Sequence, residues 1–535
     1  MAKTKNILFK LLVIISIISI WVWYSHPIFE LTFKDDDAHI MRVALTYPWY
    51  AFLTEPFAYQ ELSTAHYTPW VLWSYQFDLF LAKGVNPQVF FIHQWIAVTL
   101  LICLLSILAW RISAQVTAAV IAVLLLIVNP SLFNLLTENY TRHYVEGAIS
   151  ISLSILAALA WLDTQKWNWW FVSVVCYAVS LLCKEIYLII PILYFWLPQF
   201  RQSYSLFLAW AAVGIAYLWL RSLMLGTVGG GMHGTDPFLL LSIVQSGVPQ
   251  VLEWLMQNHL PLIIAAGLAV IVTAQRLKIL IFLAFSLIYL LIPAVFAPHV
   301  WRETAYHADR IFIVLYLFLG LFVAIRFANP IRFYRLGKYV GLISLLVWGY
   351  RTGLDNQTSV KMQTQSANHL IANELLKNPP TYDAVVAAPD FKLGELHWVI
   401  RHFQGYSIDL LLTEEDILNQ YLAGKKIGRF DTTCGCIKLI TEAPKRCQRS
   451  LPDERFKSAF AYRQDASISW SLTYSKIAGE AGIIFLDRHL VIPVPSLSVR
   501  LARPRQGETY RFYFIGSQGE CWLGAIKTID LGDRK

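Results

Sequence analysis

Long apolar runs alternate with short polar connections over the first 350 residues of the chain. A membrane-spanning helix needs roughly 20 mostly apolar residues, and the first such run extends from Ile7 to Trp23. Lysines precede it and no small-residue cleavage site follows it before Tyr24, so we interpret it as an uncleaved span. In total the pattern predicts about 11 spans. The others lie near 90–110, 114–128, 145–162, 169–182, 186–197, 205–220, 261–274, 279–296, 311–325 and 339–350.

The pattern changes after residue 350, where no apolar run is long enough to span a membrane. Gly and Pro residues now separate short clusters of β-branched and aromatic residues, which is typical of strands. We therefore predict a polytopic α-helical membrane domain at 1–350 and a soluble domain at 351–535 with an α/β part and a β-rich part. Predicted helices cover 359–378 and 391–403, and predicted strands cover 382–389, 467–475, 482–486, 490–501 and 510–516.

Composition and charge indicate how the chain lies in the membrane. The 535 residues are 56% hydrophobic and 15% charged, which excludes a single soluble domain. With a cytoplasmic N-terminus, the inward connections carry many Lys and Arg residues against the single acid Asp163, as the positive-inside rule requires. The net charge of +9 is then explained by the membrane edge rather than by a nucleic-acid partner. An odd number of spans places the soluble domain outside the cytoplasm.

Four cysteines lie in the domain predicted to be extracytoplasmic, where disulfides form: Cys434, Cys436, Cys447 and Cys521. Four cysteines allow three pairings. A zinc site is the alternative because Cys434, Cys436 and Cys447 are closely spaced, although C-x-C is not the usual zinc spacing.

The first predicted external loop, residues 25–89, is long, rich in aromatic residues and carries three consecutive carboxylates, Asp35, Asp36 and Asp37. Loops of this length are usually functional or disordered, and the aromatic content favours packing. Like charges so close repel, so some are protonated, bind a cation or face different ways. The alternative is a solvated acidic turn that caps a helix beginning near Ala38.

Cations recur at the predicted outer ends of the spans. Each alone is typical of a snorkelling or paired residue. Together with carboxylates they suit a reaction with a phosphate leaving group, in which an acid deprotonates the nucleophile and cations stabilise phosphate oxygens. The cations are Arg142 beside His143, Lys184 beside Glu185, Arg221, Arg302 and Arg310.

Several short motifs resemble the GT-C superfamily of membrane glycosyltransferases, and particularly protein O-mannosyltransferases and related bacterial polyprenyl-phosphate-sugar transferases. The resemblance covers about the first two thirds of the chain, and Thr68 stands where relatives often carry Arg. The motifs are Phe33-x-x-Asp36-Asp37, His66-Tyr67-Thr68-Pro69-Trp70, the stretch from Asn129-Pro130 through Glu138 to Arg142-His143-Tyr144, Leu182-Cys183-Lys184-Glu185 and Ala308-Asp309-Arg310-Ile311-Phe312.

The resemblance implies an inverting transfer of a sugar from a polyprenyl-phosphate donor to a hydroxyl of a lipid, glycan or protein acceptor. It implies that Asp36 is the general base, that Asp37 or Asp35 supports it, and that a bacterial inner membrane holds the enzyme. No cofactor is required, although a divalent cation such as Mg²⁺ or Mn²⁺ could bind Asp36 and Asp37. The donor phosphate would be held by Arg310, Lys184, Arg142 and Arg302, and the acceptor or the loop would be supported by His66, Tyr67, Glu138 and His143.

Two other functions fit a chain of this class. A lipid or sugar transporter or flippase would also carry ions within its spans, but transporters commonly contain a repeat with matching broken helices, and none is visible here. A non-catalytic envelope assembly protein would use its external domain to dock partners, and its Asp cluster would be exposed and unpaired.

Overall fold

The structure is a computed structural model. It describes residues 18–34, 36–63, 66–127, 129–192, 203–226, 253, 256, 335–377, 381–386, 394–404, 409–411, 417, 420–431, 434, 436–441, 456–462, 468–474, 479–485, 490–493, 498–501, 509–516, 521–523 and 526–528. The predicted spans at 261–274, 279–296 and 311–325 lie outside these residues, as do residues 7–17 of the first span.

Thirteen α-helices are described. They are α1 Asp37–Thr46, α2 Ala51–Thr54, α3 Pro56–Leu62, α4 Pro69–Ala82, α5 Pro87–Ser113, α6 Val116–Ile127, α7 Pro130–Thr137, α8 Arg142–Thr164, α9 Trp167–Cys183, α10 Tyr204–Leu225, α11 Arg335–Thr364, α12 Ala367–Leu376 and α13 Gly394–Gln404. Residues 18–25 are also helical. Short 3-10 helices occupy His26–Glu30, Asn139–Thr141 and Glu185–Ile192.

Three of the described helices are long and apolar enough to cross a membrane: Pro87–Ser113, Asn139–Thr164 and Tyr204–Leu225. Two shorter apolar helices, Val116–Ile127 and Trp167–Cys183, fall where the hydrophobic pattern predicts spans. The membrane character of the chain is therefore confirmed at the level of helix length and composition. The count of about 11 spans stays a prediction.

Close packing joins the helices around α8 and α9. Gln165 ends α8 in the left-handed conformation, with φ 53°, and its N–H donates to Trp161 O, so the chain reverses into α9. The Ser154 hydroxyl of α8 donates to Ser173 O of α9 at 2.7 Å, which satisfies a polar group between two apolar helices. At the same end of α8 as Gln165, Asp163 pairs with Arg111 of α5. The C-terminal ends of these two helices therefore meet.

The described β-strands lie between Ala384 and Thr528. Some coincide with predicted strands, whereas those at 409–411, 427–431, 436–439 and 456–462 were not predicted. The strands are β1 Ala384–Val386, β2 Asp409–Leu411, β3 Ile427–Asp431, β4 Cys436–Leu439, β5 Phe456–Tyr462, β6 Ile468–Tyr474, β7 Gly479–Phe485, β8 Leu490–Pro493, β9 Ser498–Leu501, β10 Thr509–Gly516, β11 Cys521–Leu523 and β12 Lys527–Thr528.

The strands form three sheets. The first has the order β2-β1-β3-β4, in which β1 pairs in parallel with β2 and β3 while β4 is antiparallel to β3. Its buried core includes Ala384, Leu411, Ile417 and Ile427. The other two sheets are antiparallel, with the orders β11-β10-β7-β8, where β12 also pairs with β10, and β5-β6-β9. The first sheet contains parallel pairs, whereas the other two sheets are antiparallel throughout. The predicted division into an α/β part and a β-rich part stays a prediction.

The chain divides into two compact units. The first contains Met1–Leu31, Tyr47–Ser74 and Gln88–Lys361, and the second contains Thr32–Thr46, Tyr75–Pro87 and Met362–Lys535. Two segments of the first loop, including the helix that begins at Asp37, therefore belong to the same unit as the β-strands. The predicted domain boundary at residue 350 stays a prediction.

Candidate functional site

In the second unit, Asp37 is fully buried at the start of α1. Its Oδ1 accepts a hydrogen bond of 2.5 Å from the Tyr75 hydroxyl, and its Oδ2 accepts one of 2.9 Å from the Lys34 N–H. The Asp37 N–H donates to Lys34 O at 3.1 Å, which closes the turn before the helix. A carboxylate that binds a backbone N–H before the first turn of a helix stabilises the helix start. Asp37 is therefore a buried, hydrogen-bonded residue of the helix start and does not fit the alternative of a solvated acidic turn.

Asp36 occupies the preceding turn position, and its side chain is exposed. Its backbone O accepts from the Ile40 N–H at 2.9 Å, so the residue is fixed at the helix start while its carboxylate reaches solvent. Between Asp36 and Asp37, Asp36 is therefore the better placed to meet a substrate. Asp35 lies outside the described residues.

The sequence resemblance allows a divalent cation at Asp36 and Asp37, and its binding stays a prediction. No group of three His, Cys, Asp or Glu side chains among them is arranged to hold a metal ion. Both carboxylate oxygens of Asp37 already accept hydrogen bonds. We therefore assign no step to a metal.

In the first unit, Lys184 directly follows α9. Its backbone is extended, and its N–H donates to Ser180 O. The next residue, Glu185, begins a 3-10 helix. Around this turn the chain brings together His66 from the first loop and Arg221 from α10. Nδ1 of His66 lies 2.6 Å from Glu185 Oε1, and Nη1 of Arg221 lies 3.9 Å from Glu185 Oε2. We call these four residues the Lys184 cluster.

Lys184 is 3% exposed, so its ammonium group is shielded from bulk water. Nζ lies 3.8 Å from Glu185 Oε1, which is beyond hydrogen-bonding distance, and 5.2 Å from the centre of the Tyr144 ring. An ammonium group carries three donors, and a buried charge is costly unless it is paired and hydrogen-bonded. The position of Nζ therefore suits an anion that is not part of this chain.

The electrostatics of the Lys184 cluster favour negative charge. Burial raises the pKa of Glu185, but the charge of Lys184, the hydrogen bond and charge of His66 and the charge of Arg221 hold the pKa well below its ordinary value. Desolvation lowers the pKa of His66 and Lys184 lowers it further, although Glu185 opposes both. The single carboxylate of the cluster thus faces the two cations Lys184 and Arg221, which leaves the cluster net positive.

Arg142, at the start of α8, is fully buried and lies in a separate polar network. Its Nη1 lies 3.3 Å from Ser74 Oγ and from His93 Nδ1, and its Nη2 donates to Phe90 O and Asn139 Oδ1. These bonds join the first loop, α5 and the turn before α8. This geometry is typical of a structural arginine, and the role of Arg142 in donor binding stays a prediction.

Two of the residues predicted to support the loop hold its backbone in place. The His66 carbonyl accepts from the Tyr59 hydroxyl at 2.7 Å. Tyr67 is fully buried, its hydroxyl donates to Phe52 O, and its carbonyl accepts from the Tyr217 hydroxyl of α10 at 2.9 Å. Thr68 also bonds Tyr59, so this segment is packed rather than open.

The other predicted site residues are placed as follows. Glu138 is buried in the turn before Asn139–Thr141, and half-buried His143 stacks at a tilt beside Tyr144. Arg302 and Arg310 lie outside the described residues. Cys434 and Cys436 form a disulfide, whereas Cys447 and the side chain of Cys521 are not described.

Sequence reasoning missed three residues that contact the acid-bearing helix start: Tyr75, His39 and Glu395. Tyr75 bonds Asp37, and Glu395 of α13 bonds both His39 and Arg42 of α1. The spacing of His39 and Arg42 on one helix face was visible in the sequence. Nothing in the sequence near Glu395 marks it as their partner, because 353 residues separate it from Arg42.

The chain was compared with protein families, curated proteins and solved structures. No protein-family model matches it, and no curated protein is similar to it by sequence. The structure is similar to the crystal structure of ArnT from Cupriavidus metallidurans bound to undecaprenyl phosphate, with 11% identity and a TM-score of 0.46 over 78% of this chain and 88% of the other. At that TM-score the similarity carries no argument about the fold or activity of this chain.

Proposed function

We propose that the protein is a membrane glycosyltransferase that moves a sugar from a polyprenyl-phosphate donor to an acceptor hydroxyl. The observation that carries the proposal is the buried Lys184 ammonium, which lies 3.8 Å from Glu185 Oε1 in a net positive cluster beside apolar helices. A lipid phosphate combines the negative charge that Nζ requires with a chain that suits the membrane. Charge-assisted hydrogen bonds of this kind are among the stronger ones in proteins.

The reaction needs a base and a stabilised leaving group. In the proposed step, Asp36 takes the proton of the acceptor hydroxyl, whose oxygen bonds the anomeric carbon of the sugar as the bond from that carbon to the phosphate oxygen breaks. The donor leaves as polyprenyl phosphate, which keeps the electron pair of the broken bond. Attack opposite the leaving group inverts the anomeric configuration. Asp37 supports Asp36 by fixing the turn.

The proposal is tested with the full chain in lipid nanodiscs and a panel of polyprenyl-phosphate sugars. Lys184→Gln removes the charge, and we expect the donor KM to rise about 10- to 100-fold, which corresponds to about 1.4–3 kcal/mol. Lys184→Arg keeps the charge, so its donor KM should rise less. Lys166→Gln changes an exposed lysine and should match the wild type.

A second pair of variants tests the base. Asp36→Asn should lower kcat about 10²- to 10⁴-fold while donor binding persists, because general-base catalysis contributes a factor of that order. The control is Asp355→Asn, at an exposed position. Full activity of Asp36→Asn would overturn the assignment of the base. A wild-type chain that binds or moves the lipid-linked sugar without transferring it would overturn the enzyme and favour a transporter or binding protein.

A further inference from the structure

We propose that Glu395 is a positioning residue that fixes the start of α1, and with it the orientation of Asp36. The inference rests on the proposed function, because it assigns Glu395 to the support of the proposed base. It adds a residue from far along the chain to the carboxylates that the sequence places in the first loop. Glu395 and Asp36 both lie in the second unit, which contains Thr32–Thr46 and Met362–Lys535.

The contact is a three-residue clamp. His39 and Arg42 are three residues apart on α1 and therefore share one face of the helix. Oε2 of Glu395 accepts a hydrogen bond of 2.9 Å from His39 Nδ1 and another of 2.9 Å from Arg42 Nε. One oxygen of a single carboxylate thus holds two side chains one turn apart. This arrangement resists both rotation of α1 about its axis and sliding of α1 along α13.

Two of the three side chains of the clamp, Glu395 and Arg42, are shielded from water. The side chains of Glu395 and Arg42 are 14% and 9% exposed. Burial raises the pKa of Glu395, but the hydrogen bond and charge of His39 and the charge and hydrogen bond of Arg42 lower it to about 2. Glu395 is therefore ionised at any pH near neutrality. It also lies in the first turn of α13, where the helix dipole favours a negative charge.

A second set of bonds fixes the other end of the same segment. Asp37 is held by the Tyr75 hydroxyl and the Lys34 N–H, so the turn that precedes α1 has a fixed backbone. Asp36 lies in this turn, immediately before Asp37 and three residues before His39. Its carboxylate is exposed, and its backbone is held on both sides. A base must lie within hydrogen-bonding reach of the proton that it removes, so a rigid backbone here serves catalysis directly.

The test combines a structural and a kinetic measurement on the full chain in nanodiscs. Glu395→Gln keeps the shape of the side chain and removes its charge, and Glu395→Asp keeps the charge on a shorter side chain. For Glu395→Gln we expect faster hydrogen exchange of the amides in 36–46. We also expect a fall in kcat of up to about 100-fold with an unchanged donor KM, because a misplacement of about 1 Å can cost that much. Glu395→Asp should show slower exchange in 36–46 and a higher kcat than Glu395→Gln.

The coupling is tested by Arg42→Gln alone and together with Glu395→Gln. If both act through one contact, the double variant should be no slower than the slower single variant. Glu55→Gln, at an exposed position, is the matched control and should leave exchange and kcat unchanged.

Two results would overturn the inference: unchanged exchange in 36–46 for Glu395→Gln, or faster exchange without a change in kcat. The failure of the proposed function is a different result, namely a wild-type chain that transfers no sugar. In that case the exchange measurement still decides whether Glu395 holds α1, and the assignment of Asp36 as the base falls.

Discussion

His66 Nδ1 lies 2.6 Å from Glu185 Oε1, so a hydrogen bond joins the first loop to the turn after α9, 119 residues further along the chain. The bond orients the only described carboxylate within 4 Å of both Lys184 and Arg221. His66 therefore supports the Lys184 cluster from the loop side. Its proton state is coupled to the charges that we assign to donor binding.

His66 should make the folded protein less stable as the pH falls below about 6.5. Its pKa is lowered in the folded state, so between the ordinary value of 6.5 and the folded value the unfolded chain binds more protons. His66→Gln removes this titration, and the midpoint of thermal unfolding should fall less steeply from pH 7 to pH 5. His26→Gln, at an exposed position, should keep the wild-type slope. Equal slopes for the wild type and His66→Gln would contradict the prediction.

The hydrogen bond between Tyr75 and Asp37 should contribute measurably to the stability of the second unit. Tyr75→Phe removes only the hydroxyl, which leaves a buried carboxylate oxygen without this donor. We expect a loss of about 1.5–3 kcal/mol in the free energy of unfolding, as for other hydrogen bonds to charged groups. Denaturant unfolding measures it, and Tyr50→Phe, at an exposed position, should change it by less than about 0.5 kcal/mol. If Tyr75→Phe leaves the free energy of unfolding unchanged, Asp37 is held by other groups.

The sequence predicted the features that depend on local pattern. The helices Pro87–Ser113, Asn139–Thr164 and Tyr204–Leu225 coincide with apolar runs, because a span must close its own backbone hydrogen bonds. The start of α1 at Asp37 follows from the preference of helix starts for carboxylates.

The sequence did not predict which distant residues meet. Burial of Asp37 beside an exposed Asp36 depends on Tyr75, and the clamp on α1 depends on Glu395, whose neighbours in the chain carry no motif. Arg221 was visible as a cation at the end of a span, but its proximity to Glu185 depends on how α10 packs. Such pairings are set by tertiary packing, which residue spacing does not encode.

The disulfide between Cys434 and Cys436 should be local and contribute little to stability. It closes a loop with a sequence separation of 2, so it removes little entropy from the unfolded chain, and we expect the Cys434→Ser/Cys436→Ser variant to lose at most about 1–2 kcal/mol. Peptide mapping without reduction should recover one peptide that contains both cysteines in oxidised form. A bond from either residue to Cys447 or Cys521, or two free thiols, would contradict the pairing.

Gly147 should be required for the position of the Lys184 cluster. A Cβ on Gly147 of α8 would collide with the Tyr187 ring, which lies three residues after Lys184, and would come within 3.0 Å of Cys183 Cβ. Tyr187 cannot easily move, because its hydroxyl donates to Tyr144 O at 2.5 Å and the ring is fully buried. We therefore expect Gly147→Ala to cost about 1–3 kcal/mol in unfolding free energy and to raise the donor KM through displacement of Lys184.

Gly214→Ala is the matched control for Gly147→Ala, because it also adds one methyl group within an apolar helix. The nearest atoms to its Cβ would be Leu188 Cδ2 at 3.4 Å and the Tyr177 hydroxyl at 3.5 Å, which is ordinary van der Waals contact. It should leave the donor KM unchanged and alter thermal unfolding little. If both variants raise the donor KM equally, the effect belongs to helix packing in general. If only Gly147→Ala does, the turn that carries Lys184 is the part of the fold on which donor binding depends.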